Sequence, residues 1–314
     1  MAQRLTKFVL PLACACALGV AAAPAASAAS LTVGISDNSA AMFSNPLFNR
    51  INLTVARAMI PWNAAVMRNK GDLHAAQAWA RAALNDHVQP MISFAGDPGS
   101  AGNYIPSTSV YTSAIRAFLR AVPTVKVYSP WNEPDWVYRP GLANNPGLAA
   151  SYYNQLVRYC HGCTIVAGDL YLPAAQLGPW IRAYKRHLAT RPSVWGLHDY
   201  YDVRTHTTSQ LRTMLSLTSG QIWLTEISGV ERRGHWQYAN QSVTAAANDE
   251  KFLFSLPARF PRVTRIYHYQ WQGEHPGPNT GWDSGLLYPN GTPRPAYYVV
   301  AKAAGKRPFR PGGH

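Results

Sequence analysis

The chain has 314 residues, 47% of them hydrophobic and only 14% charged, with a formal net charge of +14. This composition excludes a disordered chain, and the length allows a large buried core in one or two domains. The basic residues are scattered, as at Arg116, Arg120, Arg182, Lys185 and Arg186, so the expectation is a generally basic surface able to contact an anionic cell envelope, not a nucleic-acid groove.

The N-terminus reads as an export signal. Arg4 and Lys7 give a basic start, residues 8–23 form an apolar run, and Ala26-Ser27-Ala28 satisfies the small-residue rule for cleavage. The run is too short and too Ala-rich for a good membrane anchor. Cys14 and Cys16 lie too early in it, without a small-residue approach, for a lipoprotein signal. A signal peptide over residues 1–28 and a secreted chain starting near Ala29 are expected.

Short apolar runs then alternate with helical patterns. Runs at 31–36, 53–60, 88–94, 125–128, 164–168, 194–197, 222–225 and 265–269 read as strands covered on both faces. Residues 72–84, with Asp72 as N-cap, and residues 110–121 carry apolar positions at helical spacing. So do the stretches through Leu148, Tyr152 and Leu156, through Trp180, Ile181 and Tyr184, and through Leu211, Met214 and Leu215. Residues 241–256 and 295–304 complete the series. Eight alternations predict a single (β/α)8 TIM barrel over residues 29–305, with a loose tail over 306–314. An open doubly wound sheet would want a glycine-rich turn after its first strand, and Gly34 stands alone there.

Cys160 and Cys163 form a C-x-x-C pair that follows a helical stretch and precedes a strand. A redox motif should instead open a helix after a strand, and a zinc site needs two more ligands where only His161 is near. A small structural disulfide is therefore expected in an exported chain.

A barrel of this kind carries its site at the C-terminal strand ends. The residues that fall there are charged or polar: Arg57, Asn132 and Glu133, Asp169, His198 and Tyr200, Glu226, and then Trp271. Two glutamates at two strand ends suit glycosidic bond cleavage, which needs a proton donor for the leaving oxygen and a base or nucleophile beneath the ring. Trp62, Trp131, Trp136, Tyr138, Trp236 and Trp282 fall in loops after strands, where they either stack on sugar rings or cap the barrel. No His/Asp/Glu set shows ligand spacing, so no metal or cofactor is expected. Ser228 and Ser284 lie outside any Gly-x-Ser-x-Gly elbow, which argues against acyl transfer. Asp169, Asp199, Asp202 and Glu274 either bind sugar or pair with nearby arginines.

Trp131-Asn132-Glu133-Pro134 on the fourth strand and Thr225-Glu226-Ile227 on the seventh resemble clan A glycoside hydrolases. His198-Asp199-Tyr200, Trp271 and the passage from Gly285 to Tyr298 add to the resemblance. It implies a retaining, two-step mechanism with Glu133 as acid and then base and Glu226 as nucleophile. It also implies that Arg57 and Tyr200 favour an ionised Glu226, that Asn132 binds a sugar 2-hydroxyl, and that Trp271 floors a subsite, with His198 in support; Trp62, in the loop after the second strand, is expected to add substrate contact by stacking. Ser93-Phe94 ends the third strand where several families of the clan place a sugar-binding histidine. With no β-sandwich after the barrel, an open cleft and internal cleavage are expected. The substrate implied is a β-linked polysaccharide (a glucan, xylan or envelope polymer), met by a monomer. The alternative is a non-catalytic carbohydrate- or envelope-binding protein on the same scaffold.

Overall fold

A computed structural model describes residue 1 and residues 31–97, 104–136, 140–233, 241–274 and 281–306. Beyond Met1, the expected signal segment lies outside these residues, as do Tyr138, Trp236 and residues 307–314. Lys306, where the loose tail was expected to begin, forms an antiparallel bridge with Ile51.

The strands are β1 (Thr32–Ser36), β2 (Val55–Pro61), β3 (Gln89–Ala95), β4 (Val127–Ser129), β5 (Thr164–Ile165), β6 (Ala167–Leu170), β7 (Val194–Leu197), β8 (Gln221–Ile227), β9 (Arg232–Arg233), β10 (Val263–His268) and β11 (Trp282–Asp283). The helices are α1 (Gly71–Asn85), α2 (Thr108–Ala121), α3 (Pro140–Ala143), α4 (Pro146–Tyr159), α5 (Ala174–Lys185), α6 (Tyr200–Thr205), α7 (Ser209–Leu217), α8 (Val243–Arg259) and α9 (Pro295–Ala304). All strands but β9 and β11 form one parallel sheet of nine, in the order β5-β4-β3-β2-β1-β10-β8-β7-β6. This is a nearly closed TIM barrel. The strand expected over 164–168 is broken at Val166: β5 pairs with β4, β6 pairs with β7, and the Val166 amide still donates to Tyr128 O at 2.8 Å.

The helices start where local chemistry satisfies their free amides. Ser107 accepts from Val110 N before α2, Asn145 from Leu148 N before α4, and Ser242 from Ala245 N before α8. The expectation for Asp72 is corrected. Lys70 holds the cap position of α1, and Asp72 lies in the first turn, where its charge complements the helix dipole. Two short 3-10 helices (Ala40–Ser44 and Phe48–Arg50), not an α-helix, follow β1. Among the described residues no helix is long and apolar enough to cross a membrane.

Side chains alternate across each strand, and this alternation builds the site. Val55, Met91, Val127, Val166, Val194, Trp223 and Tyr267 form one buried cluster that plugs the barrel interior. Two residues further along β2, β3, β7 and β8 the inward positions become Arg57, Ser93, Gly196 and Thr225. An apolar floor therefore lies under a polar layer. A second, larger cluster joins the outer strand faces to the helices and holds the polar layer rigidly.

Candidate active site

Arg57 is the hub of the polar layer. Fully buried on β2, it donates from Nη1 to Ser36 Oγ at 2.9 Å and to Glu226 Oε2 at 2.7 Å. From Nη2 it donates to Asn132 Oδ1 at 2.5 Å and to Asp169 Oδ2 at 3.1 Å. Burial works against its charge, but Asp169 and Glu226 outweigh that cost and hold its proton more tightly than usual. Glu226, 7% exposed at the end of β8, also accepts from Tyr200 Oη at 3.2 Å.

Glu133 follows β4 in a left-handed conformation, φ 48°, which costs a non-glycine residue about 1–2 kcal/mol. Its surroundings hold it there. Its amide donates to Asp169 O at 3.1 Å, and the Asn132 amide donates to Phe94 O at 2.7 Å. Asp135, fully buried two residues on, accepts from Tyr171 N at 3.0 Å and Leu172 N at 2.9 Å, fastening the turn to the end of β6. Burial pushes the Asp135 carboxyl up to about 7; the Leu172 amide opposes this and the Glu133 charge adds to it.

The Glu133 side chain lies half-buried, with Oε1 at 2.9 Å from His198 Nδ1. His198 is fully buried, and its Nε2 lies 3.9 Å from Asp169 Oδ1. Burial alone would make His198 lose its proton readily. The charge of Glu226, then Glu133 and Asp169, reverses this and raises its pKa. Asp169 has the opposite fate: burial raises it, but Arg57, His198 and the Ser93 hydroxyl outweigh burial and lower it. Gly196 makes room for Asp169, since a Cβ there would fall 2.4 Å from Asp169 Oδ1. One polar atom each from Glu133, His198 and Glu226 lie within 4.8 Å of one another. By distance these three could also hold a cation. However, Arg57 already supplies a fixed positive charge 2.7 Å from Glu226.

The aromatic expectations divide. Tyr200 meets Trp282 edge-on at 5.0 Å, and Tyr269 lies 6.2 Å from the same ring. Tyr269 and Trp282 are both half-buried. Burial, then the charge of Glu226, raises the Tyr269 phenol. The expectation for Trp271 is corrected: it is 2% exposed, packed edge-on against Phe48 and Tyr297, and presents no ring face to a ligand. Trp62 is 4% exposed, with its ring 6.1 Å from that of Tyr104. Trp131 belongs to the core beside Tyr111 and Tyr152.

Of the acids left open, Asp169 alone joins the cluster. Asp202 accepts from Ser209 N, Gln210 N and Leu211 N, and so caps α7. Asp199 is buried, and burial with the nearby Asp202 drives its pKa well up. Glu274 is exposed. Cys160 and Cys163 are joined by a disulfide just past α4. Ser36, Asp135 and Tyr269 were not singled out from sequence, and Ser93 was marked only as standing where a histidine was expected. Counting by twos from Tyr267, a large inward residue, would have selected Tyr269.

The sequence profile of the family described as "Glycosyl hydrolase catalytic core" matches residues 104–299, more than half of the chain. No curated protein sequence matches. Solved structures share the fold at low identity. A family 39 glycoside hydrolase from Bacteroides cellulosilyticus WH2 aligns at TM-score 0.61 and 16% identity over 88% of this chain, which spans 64% of that one. A GH10 endoxylanase from a sugarcane soil metagenome aligns at 0.63 and 11% identity over 88% of this chain and 97% of its own. A GH5_18 protein from Streptomyces cattleya, solved with GlcNAc, aligns at 0.63 and 14% identity over 88% and 80%.

Proposed function

The chain belongs to the glycosyl hydrolase catalytic core family, and from that premise we propose that it is an exported glycosidase cleaving internal β-linkages of a polysaccharide with retention. In this reading Glu133 protonates the departing glycosidic oxygen while Glu226 attacks the anomeric carbon. A glycosyl-enzyme ester forms and the leaving sugar departs with the proton. Glu133, now a carboxylate, then takes a proton from water, which attacks the same carbon and releases Glu226.

One observation carries the reading. A Glu133 oxygen and a Glu226 oxygen lie within 4.8 Å, close to the roughly 5–5.5 Å of retaining carboxyl pairs and short of the roughly 6.5–9.5 Å that admits an intervening water. The arrangement of donors agrees with it. Arg57 and Tyr200 both donate to Glu226, which suits an ionised nucleophile. The Asn132 carbonyl oxygen is committed to Arg57, leaving its amide group to donate to a sugar hydroxyl. Tyr269 and Trp282, both half-buried, leave aromatic surface beside Tyr200 that suits the apolar faces of sugar rings. The family 39, GH10 and GH5_18 neighbours make carbohydrate the natural substrate class. Export rests on the N-terminal pattern, and envelope contact on the net charge of +14.

The test is reducing-sugar release from a panel of β-glucans, xylan, mannan, galactan, arabinan and bacterial exopolysaccharides, with Glu133→Gln and Glu226→Gln as controls. Release on one polymer that both variants abolish is expected, with the first-formed sugar keeping its β-anomeric configuration by proton NMR. Polymer binding without release in all three proteins would replace this reading with a binding module. An inverted anomer would keep the enzyme and discard double displacement.

A further inference from the structure

The two glutamates are joined through a third carboxylate. Arg57 holds Glu226 with Nη1 and Asp169 with Nη2. His198 meets Glu133 with Nδ1 at 2.9 Å and faces Asp169 with Nε2 at 3.9 Å. Asp169 therefore stands between the two cations that hold the two glutamates. It sits fully buried at φ 63°, an unfavourable conformation for a non-glycine residue, and only the absence of a side chain at Gly196 leaves it room. Ser93 donates to its Oδ2, on the strand end that lacks the expected histidine.

Which way the His198–Glu133 bond points depends on the proton count of the ring. His198 Nε2 makes no hydrogen bond among the described residues, and a bare lone pair there would face the Asp169 carboxylate across 3.9 Å. A proton on Nε2 turns that repulsion into attraction. If the ring is neutral with its proton on Nε2, Nδ1 can only accept, and it draws the Glu133 proton onto Oε1, away from the cleft. If both nitrogens carry protons, Nδ1 donates to Oε1 and the acidic proton is left on Oε2. The second state is also electroneutral: Arg57 and His198 positive, Asp169 and Glu226 negative, Glu133 protonated. A buried cluster of five ionisable groups favours that balance.

We propose that Asp169 is a positioning residue that keeps His198 protonated at both ring nitrogens, so that the proton Glu133 transfers is confined to Oε2. The proposal rests on the reading of Glu133 as the acid. In the first step the O–H bond at Oε2 breaks as the proton passes to the glycosidic oxygen. Nδ1 continues to donate to Oε1 and stabilises the new carboxylate, and water later returns a proton to Oε2. Other titratable groups face Asp169: Arg57 on β2, Glu226 on β8, Tyr184 on α5 and Tyr267 on β10; around His198 stand Glu226, Glu133, Asp169 and, beyond Glu133, the buried Asp135. Both tyrosines stay neutral because burial raises them. Asp169 is among the charges that raise the His198 pKa.

The test compares wild type with Asp169→Asn on the polymer that the panel identifies and on the dinitrophenyl β-glycoside of the same sugar, whose phenolate leaves without a proton. On the polymer, kcat should fall about 10- to 100-fold, a part of the roughly 100- to 10,000-fold that a placed acid supplies, with KM unchanged. The alkaline limb of the pH profile should move to lower pH, because His198 loses a charge that holds its proton. On the dinitrophenyl glycoside the rate of the first, glycosyl-transfer step should stay within about threefold of wild type, since that step needs little acid help. Equal losses on both substrates, or a fall without movement of the alkaline limb, would overturn the proposal. A second measurement needs no folded variant of Asp169: 15N NMR of wild-type histidines, with His198 assigned by the signal missing in His198→Gln. Both ring nitrogens should be protonated at the pH of maximal activity, and one bare nitrogen there would overturn the proposal. If wild type is inactive on every substrate, the glycosidase reading itself has failed. An active wild type silenced by Glu226→Gln secures that reading and leaves these results to judge Asp169 alone.

Discussion

Arg57 shows how far the site depends on a single side chain. It donates to Ser36, Glu226, Asn132 and Asp169 from a fully buried position. Replacing it with methionine would leave the Glu226 and Asp169 carboxylates without the guanidinium that pairs with both. Breaking a buried pair in this way costs about 3–5 kcal/mol, so Arg57→Met should lower the melting temperature sharply and abolish turnover. A variant with wild-type thermal stability would show that the cluster is hydrated and not the closed network described. The tryptophans divide by the same logic of exposure. Trp271 packs on Phe48 and Tyr297, so Trp271→Ala should unfold early, at a cost of about 3–5 kcal/mol. Trp282, half-buried over Tyr200, should when changed to Ala raise KM several-fold with a much smaller change in melting temperature. Reversed phenotypes would return Trp271 to the cleft. From sequence, Glu133 and Glu226 stood out because a charge at the end of an apolar strand has few structural excuses, and Arg57 because a charge within one has fewer still. Asp169 stayed ambiguous, since its meaning depends on partners from β2, β3 and β7 that no local pattern reveals.

At the level of elements, apolar runs and helical spacing marked the strands and the longer helices, because both follow from burial. The break at Val166 between β5 and β6 did not show, nor did the register shift inside β6, where Gly168 and Asp169 take φ 93° and 63°. The pairing of β9 with β11 also did not show, because the two strands are short and distant in sequence. Ion pairs reinforce it. Arg294 donates to Asp283 at 2.7 and 2.9 Å and pairs with Glu231 at 2.9 Å, while Arg232 reaches Asp283 at 2.8 Å. This knot follows β8 and fixes Trp282 against Tyr200. Gly273 lies against it, and a Cβ there would meet Arg294 Nη2 at 2.3 Å and Asp283 Oδ1 at 2.7 Å. Gly273→Ala should therefore displace the pair, destabilise the fold by about 1–3 kcal/mol as overpacking does, and raise KM more than it lowers kcat. Unchanged KM with lowered stability would mean that the knot braces the barrel without shaping the cleft.

For the whole molecule, the buried acids set a direction for stability against pH. Burial raises Asp135 to about 7 and Glu231 to about 7, from ordinary values of 3.8 and 4.5. A carboxyl raised in the folded state binds its proton more tightly folded than unfolded. Its contribution is complete below the unfolded value and is lost as pH rises through the folded one, with a slope of at most about 1.4 kcal/mol per pH unit for each group. His198, also raised, contributes in the same sense: its share is present below its unfolded value and lost as pH climbs through its folded one. Asp169 and Asp283 act oppositely. Both are lowered in the folded state, so their contribution is present above the ordinary carboxylate value and lost as pH falls through the folded one. Strong acid also adds repulsion to a chain already at +14. The melting temperature should therefore peak near about pH 5 and decline toward about pH 8. Asp135→Asn should flatten that decline, because an amide has no proton to lose, while leaving the acid-side fall in place. A melting temperature that climbs from pH 5 to pH 8 in the wild-type protein would mean that Asp135 and Glu231 are ionised at no cost. The turn carrying Glu133 would then owe its position to the two backbone amides alone, whatever the charge on Asp135.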